Sequence, residues 1–171
     1  INYGEKNSTI SGKYNIVYES KIDSYTKNKA IEVLSRKNVK ASIGDDISTE
    51  KGNLLLGVYS SKEKVDSYIT ENVSYISEKI DSYYLSIKDN NIVILGKDSD
   101  SVYYGLSTLD LIFQQTQDEV RELEIKDYSS SYYRGFIEGY YGIPWTSEER
   151  KELMRFGSKF KSNIYIYAPK D

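Results

Sequence analysis

The sequence predicts an α+β domain, a mixed sheet covered by helices, over residues 1–127, followed by a β-α-β unit over residues 134–171. Short apolar segments interleaved with helical patterns predict the first part. A strand pattern, a capped helix and a further strand pattern predict the second. Between them lies a polar cluster of turn-forming residues, so we expect a linker at 128–133.

Several local patterns define the first domain. Strand patterns lie at 14–18, 39–43, 54–59, 83–87, 92–95 and 122–125. The run 54–59 is apolar and unbroken, which is typical of a strand buried on both faces, and Asp89-Asn90-Asn91 predicts a hairpin turn. Asp23 and Asp98 precede helical patterns, and a short polar helix is expected at 61–71.

The composition excludes several classes of chemistry. The chain has no cysteine and no histidine, which excludes disulfides, thiolate zinc sites, cysteine nucleophiles and imidazole bases within these residues. We therefore expect no metal and no cofactor, and any chemistry must use carboxylates, hydroxyls, lysine and backbone groups. The net charge is −3 with basic and acidic residues interspersed, so no nucleic acid is expected as a partner. No segment is apolar enough to span a membrane.

Tyrosine is frequent, with 18 residues in 171. Aromatic rings suit sugar binding, but lysine, isoleucine, asparagine and serine are abundant too, as a codon bias toward A and T would produce. We favour codon bias combined with packing over a tyrosine platform.

The second part has a clear β-α-β pattern. Phe136 and Ile137 lie in a strand that ends at Glu138-Gly139, and Thr146 with Glu149 predicts a capping box at the start of a helix. The helix is expected to bury an apolar stripe formed by Leu153, Phe156 and Phe160. In the next strand, Ile164, Ile166 and Ala168 alternate with tyrosines. Such units are parallel, so both strands end at one edge, where ligands bind in α/β folds.

Five residues at or near that edge are candidates for a site. Gly139 would let a ligand approach the backbone and offer its carbonyl, or it simply serves a tight turn. Lys170 would donate to hydroxyls or remain solvated. Tyr141 would line a pocket or pack on the helix. Glu138 and Asp171 are a weak candidate for a carboxylate pair.

The motifs Glu138-Gly-Tyr-Tyr-Gly-Ile-Pro-Trp145 and Asn163-Ile-Tyr-Ile-Tyr-Ala-Pro-Lys-Asp171 together resemble the opening strands of glycoside hydrolase family 84. This family comprises the O-GlcNAcases and the hyaluronidase-type β-N-acetylglucosaminidases. Tyr104-Gly-Leu-Ser-Thr-Leu109 is similar to a helix of the accessory domain that precedes the barrel in these enzymes. The resemblance implies an α+β accessory (hexosaminidase-like) domain at 1–127, then the first β-α-β of a truncated (β/α)8 TIM barrel at 134–171.

The resemblance also implies a function. Family members hydrolyse β-linked N-acetylglucosamine with retention, using the acetamido oxygen of the substrate as nucleophile through an oxazoline. Their two catalytic aspartates follow the fourth barrel strand, so no catalytic residue is expected in this chain, and the fragment alone should be inactive. Asp45-Asp46 does not match that motif. Gly139 and Lys170 would bind sugar hydroxyls, Tyr141 would border the pocket near the acetamide, Asp171 is a weaker candidate, and Glu138 would be a supporting residue.

The implied partner is a GlcNAc-containing glycan, glycoprotein or hyaluronan. The barrel strands would lack partners for four side chains, Phe136, Ile137, Ile164 and Ile166. We therefore expect these strands to bind the accessory domain, to self-associate or to remain disordered. The A/T-biased composition and the family together suggest a secreted, extracellular bacterial protein, with no signal peptide in this chain. The alternative is a non-catalytic carbohydrate-binding or purely structural module built on residues 1–127.

Overall fold

A computed structural model of the chain describes residues 1–139 and 143–168. They form two compact units, Ile1–Ser130 and Ser131–Asp171. In the described ranges the first unit contains a seven-stranded sheet and the second a two-stranded one. No helix in these ranges is long and apolar enough to cross a membrane.

The first unit contains most of the regular structure. Its strands are β1 (Asn2–Thr9), β2 (Gly12–Tyr18), β3 (Val39–Ile43), β4 (Gly52–Val58), β5 (Ile80–Lys88), β6 (Asn91–Gly96) and β7 (Glu119–Ser129). Its helices are α1 (Ser24–Leu34), α2 (Lys64–Tyr68), α3 (Tyr75–Glu78) and α4 (Ser99–Gln114). Asp23 and Asp98 cap α1 and α4 by accepting hydrogen bonds from Thr26 and Ser101.

The large sheet is mixed, as the sequence predicts. Its strand order is β1-β7-β5-β6-β4-β2-β3. The four strands β3, β2, β4 and β6 are parallel to one another. The other neighbouring pairs are antiparallel: β1 with β7, β7 with β5, and β5 with β6. β5 and β6 form the predicted hairpin, whose turn residues Asp89 and Asn90 have φ values of 48° and 61°.

Strand β4 is buried on both faces, which confirms the interpretation of its unbroken apolar run. Leu54 and Leu56 belong to the main core with residues of α1 and α4. Leu55, which points to the opposite face, packs in a smaller cluster with Val65 of α2. Helices therefore cover both faces of the sheet.

Three tyrosines explain part of the tyrosine content by packing. Tyr14, Tyr83 and Tyr84 are each at most 1% exposed, and their hydroxyls are hydrogen-bonded to Asn90, to Asp127 and Thr108, and to Glu124. Packing is therefore the correct explanation for these three residues.

The sequence patterns missed two elements of the first unit, and the bounds of others differ from those predicted. β1 is a polar edge strand that pairs with β7 through its backbone, and α3 is a single turn. The helix predicted over 61–71 is only Lys64–Tyr68. β7 continues to Ser129, so it includes the first two residues of the predicted linker, 128 and 129.

The second unit contains β8 (Gly135–Glu138), α5 (Ser147–Lys159) and β9 (Ile164–Tyr167). β8 and β9 are parallel, with Gly135 opposite Ile164 and Glu138 opposite Tyr167. The capping box is present: the Thr146 hydroxyl accepts from the Glu149 backbone, and the Glu149 carboxylate accepts from the Thr146 backbone.

The predicted buried stripe on α5 is wrong for two of its three residues. Leu153 is half-buried, but Phe156 and Phe160 are 56% and 58% exposed, with their rings 5.0 Å apart. A sheet of two strands offers α5 only a narrow surface. The helix approaches it closely at Gly157, which packs against the Phe136 side chain. The aromatic side chains lie beyond that contact.

The sheet face opposite α5 is also open. Ile137 and Ile166 lie opposite each other in the ladder and are 72% and 42% exposed, while Phe136 and Ile164 are half-buried. The pleat places Ile137 and Ile166 on the face opposite to Glu138 and Tyr167.

Candidate functional site

The two strands of the second unit end at the same edge, as predicted. Their parallel register pairs Glu138 with Tyr167, and the Ala168 backbone N–H donates to the Glu138 carbonyl at 3.1 Å. The two strands therefore end side by side, at Glu138 and Tyr167. This is the edge at which parallel α/β folds bind ligands.

Gly139 is exposed at this edge, and its surroundings are open. No described atom lies within 4 Å of a Cβ added at Gly139, and the backbone does not adopt the left-handed conformation that favours glycine, which among the described glycines occurs at Gly12. The described residues therefore give neither a packing reason nor a backbone reason for a glycine at this position.

The other three predicted binding residues, Tyr141, Lys170 and Asp171, lie outside the described residues. Their chain positions relate them to the edge. Tyr141 follows Gly139 by two residues, and Lys170 follows Ala168 by two residues. Their roles stay predictions.

The Glu138 carboxylate is hydrogen-bonded to side chains of α5 and β9. We call Glu138, Arg150, Tyr165 and Tyr167 together the Glu138 cluster. Arg150 donates from Nε at 2.6 Å and from a terminal nitrogen at 2.8 Å to the two carboxylate oxygens. The Tyr165 hydroxyl donates to the same carboxylate. The Arg150 guanidinium also lies over the Tyr167 ring, 4.7 Å from its centroid.

These contacts determine the charge of Glu138. Its hydrogen bonds with Arg150, together with those from Tyr165 and the Trp145 backbone, lower the pKa of the carboxyl group to about 2, whereas burial acts in the opposite direction. The same ion pair raises the pKa of Arg150. Glu138 is therefore a fully ionised, fully engaged acceptor, which cannot serve as a general acid at neutral pH. This agrees with a supporting role and disfavours a catalytic pair of Glu138 with Asp171.

Sequence reasoning did not find Arg150, Tyr165 or Tyr167. One signal was present: Arg150 lies close to the N-terminus of α5, where the helix dipole disfavours a cation. A cation at that position suggests a carboxylate partner nearby. The two tyrosines carried no signal beyond their alternation in the strand.

The adjacent acidic pair Asp45-Asp46 lies in the first unit and has an ordinary surface environment. Lys64 forms an ion pair with the Asp46 carboxylate and donates to the Asp45 carbonyl at 2.6 Å, and the Asp46 side chain is 87% exposed. In the described ranges, no group of three or more acidic, histidine or cysteine side chains could hold a metal ion.

Comparisons with known proteins match both units. Residues 1–128 match the family model described as glycosyl hydrolase family 20, domain 2, and residues 134–171 match the model described as beta-N-acetylglucosaminidase. The protein O-GlcNAcase of Rattus norvegicus is 57% identical over 37 residues, which are 22% of this chain and 4% of that protein.

Two solved structures extend the similarity to almost the whole chain. The structure of CpGH84D matches with a TM-score of 0.95 and 45% identity, over 99% of this chain and 29% of that one. The structure of CpGH84B matches with a TM-score of 0.75 and 27% identity, over 99% of this chain and 28% of that one. This chain thus spans less than a third of the length of either structure.

The fold, the strand-end site and these matches define the class of the chain as a glycoside hydrolase segment. The chain belongs to glycoside hydrolase family 84, and its residues 1–128 form a domain of the type known as domain 2 of glycosyl hydrolase family 20.

Proposed function

We propose that this chain is the N-terminal part of a retaining β-N-acetylglucosaminidase that hydrolyses terminal β-linked GlcNAc. The family membership and the beta-N-acetylglucosaminidase model over residues 134–171 support the activity. The observation that carries the proposal is the parallel pairing of β8 with β9 inside that matched segment. Because of this pairing, the residues after Glu138 and after Tyr167 share the edge where a (β/α)8 barrel binds its substrate.

In this proposal residues of the matched segment 134–171 hold the sugar. The Gly139 carbonyl accepts from a sugar hydroxyl, Lys170 donates to a hydroxyl, Tyr141 borders the acetamide, and Asp171 is a secondary contact. The open space around Gly139 supports such an approach to the backbone. The second unit is the first β-α-β of a (β/α)8 barrel, with the first unit as its accessory domain.

The bond-breaking chemistry belongs to other residues in this proposal. The acetamido oxygen of the substrate attacks the anomeric carbon and forms an oxazoline while the bond from that carbon to the glycosidic oxygen breaks. An adjacent pair of aspartates outside these 171 residues polarises the acetamide, gives a proton to the leaving oxygen and then takes a proton from the water that opens the oxazoline. Glu138 takes no part in proton transfer, since its carboxylate is ionised and bound to Arg150. GlcNAc-bearing proteins, glycans and hyaluronan are the candidate substrates, and an extracellular bacterial setting is inferred from the composition and the family.

Turnover of an aryl N-acetylglucosaminide tests the proposal. The 171-residue chain should show no turnover, because a single β-α-β unit cannot enclose the substrate. The polypeptide encoded by the whole gene should be active, with an Asp-Asp pair after its fourth barrel strand. Turnover by the 171-residue chain itself, or inactivity of the whole-gene product, would overturn it.

A second candidate is a non-catalytic carbohydrate-binding module formed by the first unit. The specific observation in its favour is that Ile1–Ser130 has its own core, with a cavity of about 220 Å³ on the sheet face, lined in part by Tyr68, Glu71 and Lys88. Binding of GlcNAc oligosaccharides to residues 1–130 alone would favour this candidate. Loss of all binding on truncation at Ser131 would favour the barrel proposal.

A further inference from the structure

Glu138 connects four parts of the second unit. Its carboxylate accepts two hydrogen bonds from Arg150 of α5, one from Tyr165 of β9 and one from the backbone of Trp145 just before α5. Its backbone carbonyl accepts from Ala168, the residue after β9. The Glu138 and Arg150 side chains are 5% and 22% exposed, so water competes little for these bonds.

The Glu138 cluster lies directly next to the proposed sugar-binding residues in the sequence. Gly139 directly follows Glu138, and the segment with Lys170 directly follows Ala168. The loop between β8 and α5 has its first fixed point at Glu138 and its last at Trp145, and both points are held by the same carboxylate. The cluster therefore fixes the geometry from which both proposed sugar-binding segments start.

Arg150 contacts both Glu138 and Tyr167 and so links the two strand ends. Its bidentate contact orients the carboxylate, and its guanidinium plane lies on the ring of Tyr167, the last residue of β9. Without Arg150, Glu138 would be a nearly buried carboxylate with no cation, and its pKa would rise. The carboxylate would then no longer favour one orientation of the two strand ends.

We propose that Arg150 is a positioning residue for the sugar-binding edge, which acts through Glu138 and Tyr167 to hold Gly139 and the end of β9 in the binding geometry. The proposal rests on the proposed function, because it assumes that Gly139 contacts the sugar. Arg150 itself does not touch the sugar in this scheme.

The test compares Arg150→Met with Lys151→Met, in the 171-residue chain for NMR and in the whole-gene product for sugar binding. Lys151 is the next residue on α5, and its ion pair with Glu148 is exposed, so it is a matched control. Amide signals of Gly139 and Ala168 are compared by NMR without sugar, and the dissociation constant of N-acetylglucosamine is measured on the whole-gene product. We expect Arg150→Met to shift both signals before any sugar is added and to weaken binding by about tenfold or more. Lys151→Met should change neither.

Two further measurements separate positioning from a loss of folding. The carboxyl carbon of Glu138 should titrate near its low pKa of about 2 in the wild type and toward the ordinary value of 4.5 in Arg150→Met. Arg150→Lys, which keeps the charge but not the fork, should restore part of the sugar affinity. A folded Arg150→Met chain with unshifted Gly139 and Ala168 signals and unchanged affinity would overturn the proposal.

A failure of the proposed function has a different signature. In that case the wild-type whole-gene product neither binds N-acetylglucosamine nor cleaves the aryl glycoside. The positioning of the strand ends is then judged on the Gly139 and Ala168 signals without sugar, and unshifted signals in Arg150→Met would overturn that part as well.

Discussion

Gly135 lies against the backbone carbonyl of Ile164, so closely that a Cβ added at Gly135 would be 1.8 Å from the carbonyl oxygen. A side chain cannot be accommodated at this distance without separating β8 from β9. Just after the other end of the same strand, a Cβ at Gly139 would meet no described atom within 4 Å. A side chain is thus excluded by the packing at Gly135 but not by the described residues around Gly139.

The first prediction uses this contrast. Gly135→Ala should destabilise the second unit by about 1–3 kcal/mol or more, because the added methyl group overpacks the strand pair. Gly139→Ala should leave its stability unchanged and weaken sugar binding. Trp145 is the single tryptophan of the chain, so its fluorescence during urea denaturation reports on the second unit. Equal stability of the two variants would contradict the prediction.

The second prediction concerns acid. The pKa of Glu138 is about 2 in the folded chain, against an ordinary value of 4.5. A lowered pKa means that this carboxylate stabilises the folded unit fully above pH 4.5, and that the stabilisation disappears as the pH falls toward 2. Glu138→Gln should therefore be less stable than the wild type at pH 7, and the difference should vanish near pH 2.

The control for this prediction is Glu148→Gln, which removes an exposed carboxylate from the start of α5. It should change stability little at any pH, since exposed ion pairs contribute little. The measurement is urea denaturation followed by Trp145 fluorescence from pH 7 to pH 2. A stability difference between Glu138→Gln and the wild type that is independent of pH would count against the low pKa.

The third prediction concerns the core of the first unit. The Lys37 ammonium group is buried, where it donates to the carbonyls of Phe113, Thr116 and Gln117 at the C-terminal end of α4. Lys37→Met should cost about 1.5–3 kcal/mol, because it removes charged hydrogen bonds and leaves buried acceptors unsatisfied. Lys40→Met, at an exposed position of β3, should cost almost nothing. Urea denaturation followed by far-ultraviolet circular dichroism would distinguish the two; equal midpoints would contradict it.

The patterns that depend on local sequence were predicted well. The apolar run of β4, the turn at Asp89-Asn90 and the capping box at Thr146 each arise within a few residues, so periodicity and turn chemistry revealed them. β1 was missed because its pairing with β7 is made by the backbone and its side chains do not alternate in polarity. The shared edge of the site was predicted from the parallel crossover. The Glu138–Arg150 contact was not, since it depends on how α5 lies across β8.

The exposed aromatic residues of α5 have the same explanation. Helical spacing identified Leu153, Phe156 and Phe160 as one stripe, but spacing cannot indicate whether a surface exists to cover it. Burial depends on tertiary packing, and the two strands β8 and β9 cover only part of the stripe on α5.

The last prediction concerns the open sheet face of the second unit. Ile137 and Ile166 form an apolar surface on β8 and β9, whose outer edges pair with no further strand in the described ranges, and such surfaces drive association. We expect the 171-residue chain to self-associate with rising concentration in sedimentation velocity runs, and Ile137→Lys to reduce this association. Ile143→Lys is the matched control: Ile143 is 95% exposed but lies outside the strands, so its replacement should leave association unchanged. A wild-type chain that stays monomeric while NMR relaxation shows Ile137 to be rigid would count against a barrel, because a barrel strand requires partners on both faces.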